Sequence, residues 1–181
     1  MTPPDQAADP GFRAVIDGWH AHQEQLLACL RPLTAEQLAL RPSPDHWAIW
    51  QLASNMAGAR AHWFHEVLGE GDPSIRDGFR VASTTVPGLP LEDAGWEDDE
   101  THPRSAAELA GAFEATWALV DGCLRRWTAD DLVVELVREY GGRRKVVTRA
   151  WVIWRLIEHD LEHGTEIALI LRRHGLPTLD I

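Results

Sequence analysis

Four stretches of the chain carry apolar residues at intervals of three or four positions, which is the periodicity of an amphipathic helix. We expect these helices at Pro10 to about Leu30, about Trp47 to Gly69, Ser105 to about Thr128, and Thr148 to Gly175. Ser105 and Glu108 have the spacing of a capping box, and Thr148 is a suitable N-cap. Gly175, with Pro177 shortly after it, is a stop signal. The pattern therefore predicts an all-α protein, a bundle of four helices.

The connection between the second and third helices is long. Residues 70–104 are acidic and hold many Pro and Gly residues, so we expect a loop there. This loop is either solvated or a lid over one end of the bundle, with Phe79 or Trp96 beneath it.

The rest of the chain completes the predicted organisation. The runs 132–134 and 146–147 flank a Gly-Gly pair, which predicts a short two-stranded β-hairpin before the closing helix. Residues 1–9 are polar and Pro-rich and are expected to form a disordered tail. Residues 10–181 have a size that suits one domain.

Composition excludes several classes of function. The 181 residues carry a net charge of −11, which argues against binding to nucleic acids or anionic membrane surfaces, because contact with phosphate requires a basic face. No run of about 18 apolar residues exists, so no transmembrane helix is expected. The first residues lack the charged-then-apolar order of a signal peptide, and we therefore expect a cytoplasmic protein.

The closing helix carries a pair of histidines at the edge of its apolar face. His159 and His163 are four residues apart, so their Cβ atoms are expected about 5–6 Å from each other. At that spacing two imidazoles can reach one metal ion at about 2.0–2.1 Å, and the alternative is a purely structural pair. Asn55 lies among small and apolar residues of the second helix. We therefore expect its amide to point inward and to form a hydrogen bond to the backbone or to water. His22, in the first helix, is expected to be solvated.

Two segments of the sequence are the basis for a comparison with a known family. Residues 46–68 read HWAIWQLASNMAGARAHWFHEVL, and residues 151–175 read WVIWRLIEHDLEHGTEIALILRRHG. Together with the hairpin and the helix order, they resemble the DinB-like family, also called the YfiT or bacillithiol-transferase-like superfamily. The resemblance implies a four-helix bundle, often a dimer, that binds zinc or nickel through three histidines. In that family one ligand follows a tryptophan of the second helix by eight residues, and the other two form an HxxxH pair on the last helix.

The resemblance assigns residues of this chain to a metal site. His159 and His163 match the HxxxH pair, and Trp47 matches the tryptophan. Eight residues after Trp47 stands Asn55, so the expected ligands are Asn55, His159 and His163. Because an amide oxygen is a neutral and weaker donor to zinc than an imidazole, we expect a weaker site. Glu166 is a further candidate residue, which could act as a metal ligand, as a base or as a hydrogen-bond partner of His163. The alternative is that it is an ordinary exposed glutamate.

Two functions follow from the resemblance. The first is a metal-dependent enzyme of thiol S-transferase or hydrolase type, which uses a small-molecule substrate and a thiol cosubstrate. The alternative is a non-catalytic bundle whose metal site has lapsed, and which binds a small molecule or acts as a dimeric structural protein without a metal. A homodimer is expected in both cases.

Overall fold

The computed structural model describes residues 10–82, 94–140 and 142–180, so the predicted tail at residues 1–9 lies outside the described part. In chain order its helices are α1 (Pro10–Leu30), α2 (Ala35–Leu38), α3 (Ile49–Ala61), α4 (Ser74–Gly78), α5 (Ala106–Arg126), α6 (Ala129–Leu132) and α7 (Arg149–Arg173). The long helices α1, α3, α5 and α7 form the predicted bundle. Helix α3 packs against α5 and α7, and α1 contacts the same two helices.

Side-chain caps define the starts of α5 and α7. The Ser105 hydroxyl accepts a hydrogen bond from the backbone N–H of Glu108, and the Glu108 carboxylate accepts one from the N–H of Ser105 at 2.8 Å. Thr148 accepts a hydrogen bond from the N–H of Trp151 at 3.1 Å. These contacts confirm both predicted starts. No helix of the described residues is at once long enough and apolar enough to cross a membrane.

The second predicted helix differs from expectation at both ends. It begins at Ile49 instead of Trp47, because the Gln51 side chain accepts a hydrogen bond from the N–H of Ala48 at 2.7 Å and closes the first turn. Residues His62–Val67 then continue as a π-helix instead of an α-helix. A π-helix holds more residues per turn, so the side chains after Ala61 point in other directions than a straight α-helix would give them.

The predicted hairpin is present. Its strands are β1 (Glu135–Tyr140) and β2 (Arg143–Thr148), which pair antiparallel. The first strand begins later than predicted, because Thr128 and Asp131 form a capping box that makes Leu132 the last residue of α6. The run 132–134 is therefore a helix end and a turn, not a strand.

Residues 94–104, here called the strap, pack along α3. The Gln51 side chain donates a hydrogen bond to the carbonyl of Glu100 at 3.1 Å, and the strap contains a short 3₁₀-helix at Trp96–Asp98. The rings of Phe79 and Trp96 contact each other at 4.9 Å between centroids, and Phe79 is buried. The described part of the predicted loop thus covers a side of α3, and its residues 83–93 lie outside the described part.

Candidate functional site

Two histidines of α7 form the centre of the candidate site. The rings of His159 and His163 meet edge to face, with centroids 4.5 Å apart. Only 11% of the His159 side chain and 14% of the His163 side chain are exposed. The rings therefore lie side by side, as the four-residue spacing predicts.

Both rings have a buried nitrogen without a hydrogen-bond partner. In each ring this atom is Nδ1. The His163 Nδ1 lies 3.6 Å from Glu166 Oε2, and the His159 Nδ1 lies 4.0 Å from Asp160 Oδ1, which are both longer than a hydrogen bond. Burial, with the neighbouring His163 ring as the next cause, lowers the pKa of His159 to about 3. The His159 ring is therefore neutral near pH 7, which is the form that binds metals.

Asn55 lies half-buried on α3 with its two amide atoms in different situations. Its Nδ2 donates a hydrogen bond to the carbonyl of Glu97 in the strap at 2.6 Å. Its Oδ1 is buried and has no hydrogen-bond partner, so it makes no hydrogen bond to either histidine. The amide group is thereby oriented by the strap while its oxygen stays available.

The packing of α3 on α7 brings Asn55 and His163 to similar heights. Arg60 of α3 pairs with Asp160 of α7, and Leu52 lines the same cleft as His163, so the two helices run antiparallel. Asn55 precedes Arg60 by five residues and His163 follows Asp160 by three. At about 1.5 Å per residue, their heights along the helices differ by roughly 3 Å.

The donor set decides whether these residues fit a metal ion. Among the described residues, no three His, Cys, Asp or Glu side chains are placed to hold one. The two imidazoles therefore require the Asn55 amide oxygen or solvent to complete a set of three ligands. Three of the seven buried side-chain atoms that have no hydrogen-bond partner in the described part belong to these residues, and two ring nitrogens with one amide oxygen suit a weak site with neutral ligands.

A cleft of ≈ 530 Å³ opens beside His163. It lies between the chain segment that precedes α3 and the last turns of α7. The Trp47 ring forms part of its wall, with its centroid 5.9 Å from that of His163. Glu166 also lines the cleft and is about half exposed, so it is accessible to a bound molecule. The cleft has the size and the apolar wall of a small-molecule site.

A second polar group consists of His62 and the charged side chains around it, one of which is Glu97 of the strap. His62 Nδ1 is 3.5 Å from Glu97 Oε1 and 3.6 Å from Glu66 Oε2, while Arg138 of β1 lies 2.8 Å from His62 Nε2. Because arginine can only donate, Nε2 accepts and the ring proton is on Nδ1. Burial is the main cause that raises the pKa of Glu97 to about 8, and the nearby carboxylates of Asp98 and Glu66 add to it.

Behind the histidines lies a cluster that sequence reasoning missed. Asp160 Oδ2 accepts hydrogen bonds from Trp19 Nε1 at 2.6 Å and from Arg60 Nε and Nη2 at 2.9 and 2.6 Å. The side chains of Arg60 and Asp160 are completely buried, and Arg60 also donates to Gln23. We call Trp19, Gln23, Arg60 and Asp160 the ion-pair cluster. It joins α1, α3 and α7.

His22 belongs beside this cluster, and its predicted exposure was wrong. It is 9% exposed, and its Nε2 lies 3.2 Å from the carbonyl oxygen of Asp160. The ring occupies the space that the missing side chain of Gly164 leaves, since a Cβ there would lie 2.7 Å from its Cε1. Burial lowers the pKa of His22, although its backbone hydrogen bond to Asp160 opposes this.

Comparison with known proteins places the chain in a family. Residues 19–167 match the sequence model of the DinB superfamily. The crystal structure of a DinB-like protein from Bacillus cereus ATCC 10987 is similar at 19% identity and a TM-score of 0.62, over 93% of this chain and 96% of that one. A conserved protein from Enterococcus faecalis is similar at 14% identity and a TM-score of 0.65, over 88% of this chain and 94% of that one. No curated protein matches. Because the family match covers most of the bundle, including both histidines, the chain belongs to the DinB superfamily.

Proposed function

We propose that His159, His163 and Asn55 hold a divalent ion, zinc or nickel, next to a cleft that binds a small molecule. The observation that supports this proposal is that each of the three residues has a buried polar atom without a hydrogen-bond partner, which makes three of the seven such side-chain atoms in the described part of the chain. A buried polar atom without a hydrogen bond lowers the free energy of unfolding by about 1–3 kcal/mol, so a set of three favours a ligand that supplies the missing contacts.

The proposed reaction class is thiol S-transfer or hydrolysis. When bound, such an ion supplies Lewis-acid chemistry and lowers the pKa of a water or a thiol. Burial keeps the His159 ring neutral and able to ligate. Glu166, beside His163 at the cleft, is placed to orient that ring or to accept a proton from a bound molecule. Trp47 and Leu52 form part of the apolar wall of the cleft.

Elemental analysis of the purified protein tests the proposal. Protein from cells supplied with zinc or nickel should contain one ion per chain, and His159→Ala should lose it. His20→Ala is the matched control, because His20 is about half exposed on α1 and should leave the metal content unchanged. Metal-free wild-type protein from both supplemented cultures would contradict the proposal.

The second candidate function is a non-catalytic binding module. It is favoured by the hydrogen bond from the Asn55 amide to the strap, which gives this residue a structural role without a metal. Asn55→His separates the two functions. Tight metal binding by the variant, with none by the wild type, would identify a lapsed site.

A further inference from the structure

The cleft beside His163 combines an apolar wall with charged residues at its rim. Its apolar lining consists of Pro42, Trp47, Leu52, Leu169 and Ile170. Arg41, before α3, and Arg173, in the last turn of α7, line it as well. A site with an apolar wall and guanidinium donors at its rim suits a molecule with two unlike ends.

Several surface arginines of the protein are neutralised by a carboxylate, and in the part of the chain that the structure describes the two arginines of the cleft are not. Arg31 pairs with Glu114 and Arg125 with Asp121, each at 2.6 Å. Within the described residues neither Arg41 nor Arg173 makes an ion pair, and Arg173 makes a single long hydrogen bond of 3.5 Å to the carbonyl of Pro42. Each guanidinium has five N–H donors, so most of theirs remain available to a ligand.

The cleft is also lined by two carboxylates, those of Asp45 and Glu166. Glu166 lies beside the His163 ring, at 3.6 Å from its Nδ1. The lining therefore carries no excess of positive charge, and its capacity to bind an anion depends on the N–H donors of Arg41 and Arg173 that have no ion-pair partner among the described residues. Guanidinium groups favour planar oxyanions such as carboxylates, which accept two parallel hydrogen bonds.

We infer that the cleft binds a molecule with an apolar body and a carboxylate, the body against Trp47, Leu52 and Ile170 and the carboxylate on Arg41 and Arg173. This inference rests on the part of the proposed function that assigns a small molecule to the cleft, and it does not require a bound metal.

Calorimetric titration with three matched probes tests it: 4-phenylbutyrate, 4-phenylbutanol and 4-phenylbutylamine, each with and without a chelator. The carboxylate should bind about tenfold or more tightly than the alcohol and the amine, also with the chelator, and its affinity should fall with added salt. Arg41→Gln/Arg173→Gln should remove this preference. Arg172→Gln is the matched control, because Arg172 is exposed on the same turn of α7 but does not line the cleft.

The possible failures are distinguishable. Equal binding of the carboxylate and the alcohol, or an equal loss in Arg172→Gln, overturns the role of the two arginines. If carboxylate binding disappears with the chelator and is unchanged in the double arginine variant, the inference is overturned and the proposed metal site is supported. If none of the three probes binds, the inference is overturned while the metal proposal stands on elemental analysis. If the double variant fails to fold, the salt dependence of carboxylate binding by the wild-type protein decides the same question.

Discussion

The ion-pair cluster and the candidate site occupy adjacent turns of α7, and their buried polar atoms are paired to different extents, although Asp160 Oδ1 in the cluster also has no hydrogen-bond partner within the described residues. In the cluster, Asp160 Oδ2 receives three hydrogen bonds from Trp19 and Arg60. In the site, the Nδ1 atoms of His159 and His163 and the Oδ1 of Asn55 have no partner. The difference indicates that the first group holds the helices together and that the second is available to a ligand.

The largest expected effect comes from the ion-pair cluster. Asp160→Asn should lower the free energy of unfolding by about 3–5 kcal/mol, because it leaves the buried Arg60 cation uncompensated. His163→Gln, measured with a chelator present, should lower it by about 1 kcal/mol or less, because no hydrogen bond to Nδ1 is lost. Urea denaturation of both variants gives the comparison.

The double variant Arg60→Met/Asp160→Leu is the control for the charge itself. It should be more stable than Asp160→Asn, since apolar groups of similar volume leave no buried charge. Equal losses in Asp160→Asn and His163→Gln would contradict the distinction between a structural group and a binding group.

A smaller effect is expected where the strap meets α3. A Cβ on Gly58 would lie 2.9 Å from the carbonyl carbon of Trp96 and closer still to the N–H of Glu97. Because backbone must shift to accommodate it, Gly58→Ala should lower the free energy of unfolding by about 1–3 kcal/mol and reduce the amide protection of the strap in hydrogen exchange.

Gly111→Ala is the matched control for this change. Gly111 lies inside α5 with no atom within 4 Å of an added Cβ, so alanine there should raise the free energy of unfolding by up to about 1 kcal/mol. If both variants are stabilised, the strap does not pack against α3 as described, and the orientation of Asn55 loses its support.

A dependence on pH is expected at the same contact. Burial raises the pKa of Glu97 from its ordinary value of 4.5 to about 8. Below the ordinary histidine pKa of 6.5, the lowered pKa values of His22, His62 and His159 make stability rise with pH. Above 6.5 the folded protein still binds a proton on Glu97 that the unfolded chain does not, so stability should fall as the pH rises through this window, from 6.5 to about 8. Melting temperatures across the window should show the decline, and Glu97→Gln should flatten it. A wild-type profile as flat as that of the variant would argue against a protonated Glu97.

Sequence periodicity predicted the bundle because helix faces and caps are local properties. Ser105 and Thr148 cap the helices that they were expected to cap, and the spacing of His159 and His163 places their rings together. The ion-pair cluster escaped prediction because Asp160 lies in a charged run that is typical of a solvated face. Its partner Arg60 is 100 positions away, and no local pattern connects them.

Other features of the site were inaccessible for the same reason. The amide of Asn55 is held by the backbone of Glu97, and any residue type could supply that carbonyl. The cleft arises where Trp47 and Arg41 meet the end of α7, which depends on how the helices cross. The exposure of His22 was wrongly predicted because Gly164, on another helix, provides the space that buries its ring.

The ion pair between Arg60 and Asp160 joins α3 to α7 whether or not anything occupies the cleft. An exchange at position 55 therefore leaves this link between the two helices intact. Residues around the cleft can consequently change in descendants of such a protein while the two helices stay joined.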